Sequence, residues 1–428
     1  MGWKSLAGVI CAVGLAAPTV GQPENASKPP VLSDEAIAAL PLEVRFPTLL
    51  MGQGRYLDAF EAIEATGLDK VSDRLRASYR QHHPALDGFF YQDPTAPPLP
   101  EPDPAALAAY DGAVAEDAIR AILDRARDRR VVIVNEAHDS PRDRAFVLAL
   151  AEALKPLGFT HFAAETFTNI SPEIAAREMG RLQRAGYPLR STGTYTAGPM
   201  FAYLVRRALK LGYSPVSYEE AWDANAAAPA TVKQGIALRE QAQAENLARA
   251  LAAAGPDAKF LIHVGYAHAA ERPLPGADEW MAARLARLTD LDPLTIEQTE
   301  ISEVAPRPQG RALHRALASR VGGRPAVFMK DGVPIATGQL GQATDLQVVH
   351  PMVVAVEGRP DWLRDTGRVA VAIPAGLLPA QGRRLVQAFI AGEAEDAVPL
   401  DQALVTAGEE PPVLYVPEGA EIRWAVQD

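Results

Sequence analysis

Between residues 106 and 302, short apolar runs alternate with longer amphipathic stretches. Short runs rich in β-branched and aromatic residues are typical of buried strands, and the longer stretches have helical spacing. The strand-like runs fall at 131–134, 161–164, 215–218, 260–264 and 294–296. The helix-like stretches fall at 106–126, 141–157, 172–184, 201–211, 232–254 and 280–288. This alternation predicts an α/β domain with a mostly parallel sheet, covered by helices on both faces.

The pattern changes on either side of this domain, which we expect to span residues 106–302. Residues 94–105 hold too many prolines for a helix or a central strand, so they predict a linker. Residues 22–93 predict a leader followed by a small helical region. Residues 303–428 predict a mixed, mostly β appendage that begins with a helix at 312–321. Its strand-like runs fall at 326–329, 352–356, 369–373, 413–416 and 422–426, with a hairpin turn at 417–420.

The first 21 residues have the pattern of a secretory signal peptide. A short cationic start ends at Lys4, an apolar stretch runs from Ser5 to Ala17, and small residues precede Gln22. The apolar stretch is too short for a membrane-spanning helix, which needs about 20 residues. The single cysteine, Cys11, lies inside it, so a cleaved chain has no thiolate or disulfide. We therefore expect a periplasmic or secreted protein with no integral membrane segment after cleavage.

Composition narrows the class of partner. The chain has 428 residues, of which 48% are hydrophobic and 22% charged, as in ordinary globular proteins. Its 42 basic and 53 acidic side chains give a net charge of −11. A negative chain of this kind lacks the basic surface that nucleic acid requires. We therefore expect a small molecule or a peptide as partner, and no nucleic acid.

Acidic residues and histidines follow four of the predicted strands. In open α/β sheets, ligands bind beyond the carboxyl ends of the strands. The residues at those ends are Glu136, His138, Glu165, Glu219, Glu220 and His268. In extended chain, positions 136 and 138 leave the same side of the backbone and can reach one common atom. A carboxylate at 165, directly after an apolar strand, needs a partner because an unpaired buried charge is costly.

A helix start lies directly after the first of these groups. Pro141 at the first helical position and Asp143 in the first turn follow Ser140, a typical capping residue. A helix N-terminus at the strand ends favours an anion or a developing oxyanion there. Arg144 on this helix and Arg239 on the long helix are candidates to reinforce that positive potential.

Together, these motifs resemble the superfamily of erythromycin esterases, TIKI-type Wnt-inactivating proteases and haem-binding ChaN-type proteins. The resemblance covers about residues 115–300. It rests on the order and spacing along the chain of the segments 135–139, 165, 238–247 and 264–268. Two positions differ from the superfamily pattern, since Asn135 replaces the usual glycine and Gln243 stands where the esterases often have methionine. The resemblance implies a catalytic set of Glu136, His138, Glu165 and His268. It also implies that Arg144 and Arg239 hold the substrate or orient the acids.

Two hydrolytic mechanisms fit these residue types. In the first, a neutral histidine beside a carboxylate acts as general base on water, and arginines stabilise the oxyanion. In the second, His138, His268, Glu136 and Glu165 bind Zn²⁺ or Mn²⁺, which activates a water molecule. The sequence leaves the choice open. Both mechanisms predict a secreted or periplasmic hydrolase of an ester or amide bond.

Two alternatives to an enzyme stay open. The ChaN-type resemblance implies a haem- or iron-binding protein, with a histidine or a tyrosine such as Tyr266 as axial ligand. The second alternative is a catalytically inactive interaction protein on the same fold, with the β appendage as its contact surface.

Overall fold

The computed structural model describes residues 47–64, 80–92, 96–167, 169–221, 229, 231–275 and 279–428. The expected signal peptide and residues 22–46, which include the whole expected leader, lie outside these ranges. The chain divides into two compact units. The α/β unit comprises Gln92–Tyr187 and Tyr203–Val354, and the second unit comprises the residues up to Tyr91 with Pro188–Ala202 and Ala355–Asp428.

Helices and strands alternate through most of the chain. The helices are α1 (Pro47–Gly52), α2 (Tyr56–Glu64), α3 (Pro84–Asp87), α4 (Pro104–Ala108), α5 (Ala118–Ala126), α6 (Pro141–Leu154), α7 (Pro172–Ala185), α8 (Pro199–Lys210), α9 (Val232–Ala254), α10 (Met281–Thr289), α11 (Pro308–Leu317) and α12 (Gly338–Gly341). The strands are β1 (Val114–Asp117), β2 (Val131–Glu136), β3 (Phe159–Ala164), β4 (Ser214–Val216), β5 (Lys259–Gly265), β6 (Leu294–Glu297), β7 (Ala326–Lys330), β8 (Val333–Pro334), β9 (Leu346–Val349), β10 (Ala355–Val356), β11 (Arg359–Pro360), β12 (Arg368–Val371), β13 (Arg383–Ile390), β14 (Asp401–Thr406), β15 (Leu414–Pro417) and β16 (Ile422–Gln427). Within the described ranges, none of the helices is long and apolar enough to cross a membrane.

A nine-stranded sheet forms the centre of the α/β unit, in the order β1-β7-β9-β6-β2-β5-β3-β4 with β8 paired to β7. The strands from β9 to β4 in this order pair in parallel, whereas β7 pairs antiparallel with β1, β8 and β9. On one face, Val131, Ile133 and Ile262 pack with Leu247 of α9 and Leu285 of α10. The residues between them on β2 are buried as well, which explains why the strand is a continuous apolar run. The predicted mostly parallel α/β sheet is confirmed.

The sheet differs from the expectation at its antiparallel end. It continues past residue 302, because β7 and β9 join it. The stretch 106–126, expected as one helix, forms α4, β1 and α5 instead. Gly112 has a φ of 73° and breaks the helical path, and the Asp117 side chain accepts a hydrogen bond from Arg120 N to begin α5. The strand between them forms because it pairs with β7, a distant partner that local periodicity cannot reveal.

The second unit joins chain segments that are far apart in sequence. It contains a three-stranded sheet in the order β14-β13-β16. Two separate two-stranded sheets pair β12 with β15 and β10 with β11. Tyr56, Phe60 and Leu86 pack with Leu385 of β13 in a common core. The C-terminal region is β-rich, as predicted. The expected turn at 417–420 forms, with Ala420 N donating to Pro417 O at 3.2 Å, but it does not close a hairpin, because β15 pairs with β12 whereas β16 pairs with β13.

Candidate active site

The residues expected to form the site meet at the carboxyl edge of three adjacent strands, β2, β5 and β3. Glu136 ends β2 and His138 lies in the turn before α6, while Glu165 follows β3 directly. His268 lies in a short 3-10 turn, Tyr266–Ala269, that follows β5. Two helices supply the arginines, Arg144 from α6 and Arg239 from α9. The structure therefore brings all six side chains into one place.

Glu136 is the centre of the first group and is 1% exposed. Arg144 donates to it twice, from Nε to Oε2 at 2.6 Å and from Nη2 to Oε1 at 3.0 Å. Nδ1 of His138 lies 3.0 Å from Oε1, and Nε2 of His263 lies 3.3 Å from Oε2. Burial alone would raise the pKa of Glu136, but Arg144, His263 and His138 hold it well below its usual range. Glu136 is thus ionised and both of its oxygens are engaged.

Glu165 is the centre of the second group. Its Oε1 accepts a hydrogen bond from Arg239 Nη2 at 2.5 Å, and its Oε2 accepts one from Gly265 N at 2.5 Å. Burial would raise the pKa of Glu165, yet the charges of His268 and Arg239 lower it to about 2. This carboxylate is therefore a permanent anion at neutral pH.

Glu219, in the loop after β4, holds the other side of the Arg239 guanidinium. Arg239 donates from Nε to Glu219 Oε1 at 3.0 Å and from Nη2 to Glu219 Oε2 at 2.5 Å. Gln243 Nε2 donates to Glu219 Oε2 at 3.1 Å. The strand-end position of Glu219 was the sequence signal for it, but its pairing with Arg239 depends on tertiary structure. Arg239 is thus clamped between two carboxylates and is not free for an anionic ligand.

His268 has a carboxylate partner that the sequence did not single out. Oε1 of Glu240 lies 2.8 Å from His268 Nδ1, and Oε2 of Glu240 accepts a hydrogen bond from Met281 N at 2.7 Å. Burial alone would lower the pKa of His268, but Glu240 and Glu165 outweigh it and raise the pKa. Arg239 Nη1 approaches the opposite ring nitrogen, Nε2, at 3.2 Å. His268 therefore has Glu240 beside Nδ1 and both Arg239 and Glu165 beside Nε2, where Glu165 Oε1 lies 3.7 Å away.

The turn after β5 shapes the space around His138. A Cβ at Gly265 would lie 2.5 Å from His138 Cε1 and 2.7 Å from its Nε2, so only glycine leaves room for this ring. Tyr266 has a φ of 39°, and its ring meets the His138 ring edge-on with centroids 5.1 Å apart. Asn135 Nδ2 donates to Tyr266 O at 2.9 Å, and Asn135 Oδ1 accepts from Gln298 N at 2.9 Å. The asparagine thus pins the strained backbone that carries the turn.

A metal ion bound by Glu136, His138, Glu165 and His268 does not fit this arrangement. Arginine side chains and a backbone N–H already occupy the oxygens of both carboxylates. Over the described part of the chain, no three His, Cys, Asp or Glu side chains are arranged to hold a metal. The haem-binding alternative with Tyr266 as axial ligand stays a prediction.

No family model and no curated protein matches the chain. Several solved structures match part of it, and those described here are bacterial toxins or effectors. One, described as bacterial protein toxins, is 19% identical, with 40% of this chain and 34% of that chain covered and a TM-score of 0.30. The type III effector HopBA1 is 13% identical over 56% of this chain and 95% of that chain, with a TM-score of 0.32. The C-terminal region of Pasteurella multocida toxin, described as having a thiol-protease like catalytic triad, is 10% identical over 90% of this chain and 56% of that chain, with a TM-score of 0.34.

This chain spans about a third of the first of these structures, covering 34% of it. Similarity at these identities and TM-scores says nothing about the chemistry of the site described above. The resemblance to erythromycin esterases, TIKI-type proteases and ChaN-type proteins also stays a prediction.

Proposed function

We propose that this chain is a hydrolase of a carboxylic ester or amide bond, with His138 as its general base. The observation that carries the proposal is the meeting of two Glu–His pairs, Glu136–His138 and Glu240–His268, at the carboxyl edge of the sheet. Within each pair, the carboxylate faces Nδ1 of the imidazole. A neutral ring with its proton on Nδ1 carries its lone pair on Nε2, and at His268 this nitrogen lies 3.2 Å from Arg239 Nη1.

Elimination among the acids and histidines assigns the base. Glu136 and Glu165 are ionised, but their pKa values are lowered and their oxygens are engaged, so both are poor proton acceptors. His268 has a raised pKa, which favours its protonated form and a role as acid or electrophile. His263 is only 1% exposed, which leaves His138 as the candidate, because a neutral His138 ring that donates from Nδ1 to Glu136 has its lone pair on Nε2.

In the proposed reaction, His138 and His268 accept and supply all the protons that move. A water oxygen attacks the substrate carbonyl carbon and gives one proton to His138 Nε2. The carbonyl oxygen gains negative charge opposite protonated His268, whose imidazolium charge stabilises it. The bond to the leaving group then breaks, and the departing alkoxide or amine takes the Nε2 proton of His268. His138 afterwards loses its proton to solvent, and His268 regains one.

Arg144 has a different role in this proposal from direct substrate binding. Its guanidinium donates to both oxygens of Glu136 and also to His138 O at 3.0 Å. It therefore fixes the orientation of Glu136 and the backbone of the turn that carries His138. This matches the second of the two roles that the sequence resemblance implies, which is to orient the acid.

The charges of the site limit the substrate class. Four carboxylates, from Glu136, Glu165, Glu219 and Glu240, stand against two arginines and one protonated histidine. The group therefore carries about one net negative charge when His268 is protonated, and both guanidinium groups are already paired. We accordingly propose neutral or cationic esters and amides as substrates, since a phosphate or carboxylate near the reacting carbonyl would be repelled.

The experiment measures hydrolysis of 4-nitrophenyl acetate, 4-nitrophenyl butyrate and a neutral peptide 4-nitroanilide. We expect His138→Ala to lose at least a hundredfold in kcat/KM, because general-base catalysis contributes about 10² to 10⁴. His161→Ala is the matched control, since His161 lies near the other end of β3 and packs flat on Phe260. Full activity in His138→Ala would overturn the proposal. Failure of the wild type on the whole panel would count against a hydrolase and favour the interaction protein.

The location of the protein is a separate proposal. The signal-peptide pattern of residues 1–21 supports a secreted or periplasmic enzyme. Fractionation of cells that express the full chain, with N-terminal sequencing of the product, tests it. A product that begins near Gln22 in the periplasm or medium is expected, and an uncleaved product in the cytoplasm would contradict it.

A further inference from the structure

The buried carboxylate of Glu240 is not explained by packing alone. Glu240 lies on α9, next to Arg239, and is 1% exposed. One of its oxygens accepts a hydrogen bond from Met281 N at the start of α10, and the other lies 2.8 Å from His268 Nδ1. The Trp280 ring meets the His268 ring edge-on, with centroids 5.9 Å apart. A fully buried acid on a helix is costly unless its charge has a dedicated partner. Here that partner is the imidazole.

We infer that Glu240 is a positioning residue that holds Nδ1–H of His268, so that Nε2 is the nitrogen through which His268 gives its proton to the substrate. The proton-donor part of this inference rests on the proposed function, whereas the anchoring of Nδ1 does not. A carboxylate beside Nδ1 favours the tautomer that is protonated at that nitrogen, as it does for the histidine of a Ser-His-Asp triad.

Nε2 of His268 has two charged neighbours. Arg239 Nη1 lies 3.2 Å away and can donate a hydrogen bond to a lone pair on Nε2. Glu165 Oε1 lies 3.7 Å away, which is beyond hydrogen-bond distance but within ion-pair range of a protonated ring. The neutral ring that keeps its proton on Nδ1 therefore has a hydrogen-bond partner for Nε2 in place.

The charged and titratable groups that face His268 are Glu240 and Arg239 from α9 and Glu165 from the end of β3. Glu165 is also held by Arg239, which already shares its charge. Among the residues that the structure describes, no arginine forms an ion pair with Glu240, so its negative charge acts mainly on His268. Loss of the Glu240 charge is therefore expected to weaken the protonated state of His268 more than any other single change at the site.

The test is nuclear magnetic resonance of the full chain labelled with ¹⁵N at histidine, with His268 assigned by its loss in His268→Ala. In the wild type, we expect Nδ1 of His268 to stay protonated throughout the pH titration. Only Nε2 is expected to lose its proton as the pH rises. In Glu240→Gln, which keeps an acceptor for Met281 N, we expect the titration to move to lower pH. We also expect kcat on 4-nitrophenyl acetate to fall about 10- to 100-fold with KM within about twofold.

Glu245→Gln is the matched control, because it makes the same chemical change at an exposed position of the same helix. An unchanged His268 titration in Glu240→Gln, or an equal shift in Glu245→Gln, would overturn the inference. If Glu240→Gln is poorly folded, Glu240→Asp serves as the second variant, and its shorter side chain is expected to give a smaller shift in the same direction. The NMR result needs no turnover, so a wild type that fails on esters refutes the proposed function without refuting the anchoring of Nδ1.

Discussion

A single methyl group added at Gly265 tests whether the observed position of His138 matters for function. In Gly265→Ala, the new Cβ would lie 2.5 Å from His138 Cε1 and 2.7 Å from Nε2. Carbon atoms in ordinary contact are about 3.5 Å apart, so the imidazole must retreat by about 1 Å. A displacement of this size at a catalytic group can cost about a hundredfold in rate. Overpacking of this kind also costs about 1 to 3 kcal/mol of folding free energy.

Steady-state hydrolysis by Gly265→Ala measures the loss of rate, and its thermal unfolding measures the loss of folding stability. Gly376→Ala is the control, because a Cβ there meets nothing within 4 Å. The double variant His138→Ala/Gly265→Ala removes the ring that the methyl group displaces, so most of the stability cost should vanish. Activity equal to the wild type in Gly265→Ala would refute the assignment of His138. An undiminished stability cost in the double variant would show that the methyl group strains some other contact.

Three further predictions concern the surroundings of the site. Glu219→Gln removes one of the two carboxylates that clamp Arg239, so we expect kcat to fall about tenfold, whereas Glu220→Gln beside it should have little effect. Incubation with a chelator should leave hydrolysis unchanged, because arginines already occupy the carboxylates, and a stoichiometric metal found by elemental analysis would contradict this. Burial lowers the pKa of His314 to about 4. The contribution of its neutral ring to the free energy of unfolding is therefore fully present above pH 6.5, and it is lost as the pH falls towards 4. The loss is about 3 kcal/mol, and urea denaturation should show a smaller loss over this pH range in His314→Gln than in the wild type.

The sequence predicted those parts of the fold that local patterns control. β2 is buried along its whole length, so it reads as an uninterrupted apolar run in the chain. The long helix α9 has the predicted bounds, Val232–Ala254, because Thr231 caps its first turn and Gly255 follows its last residue. By contrast, β1 and β9 depend on pairing with β7, a contact between distant segments that no local pattern encodes. The antiparallel end of the sheet was missed for this reason.

The same distinction applies to the site. Glu136 and His138 were found because two residues at the end of a strand share one side of the backbone, a purely local rule. Glu240 was missed because an acid in the middle of a long polar helix looks like any solvated residue, and only the position of His268 shows that it is buried and paired. Glu240 therefore becomes a site candidate only when its tertiary partner, His268, is known.

The two Glu–His pairs differ in what else each carboxylate binds, and this difference accounts for the opposite roles proposed for the histidines. Arg144 donates to both oxygens of Glu136, so the guanidinium group, rather than His138, balances much of the charge of that carboxylate. Glu240 binds a backbone N–H instead, which balances far less charge and leaves His268 as its main cationic partner. Stabilisation of the imidazolium is therefore concentrated on His268, the proposed acid. Within the described part of the chain, two chemically identical pairs thus differ because an arginine lies behind the carboxylate of only one of them.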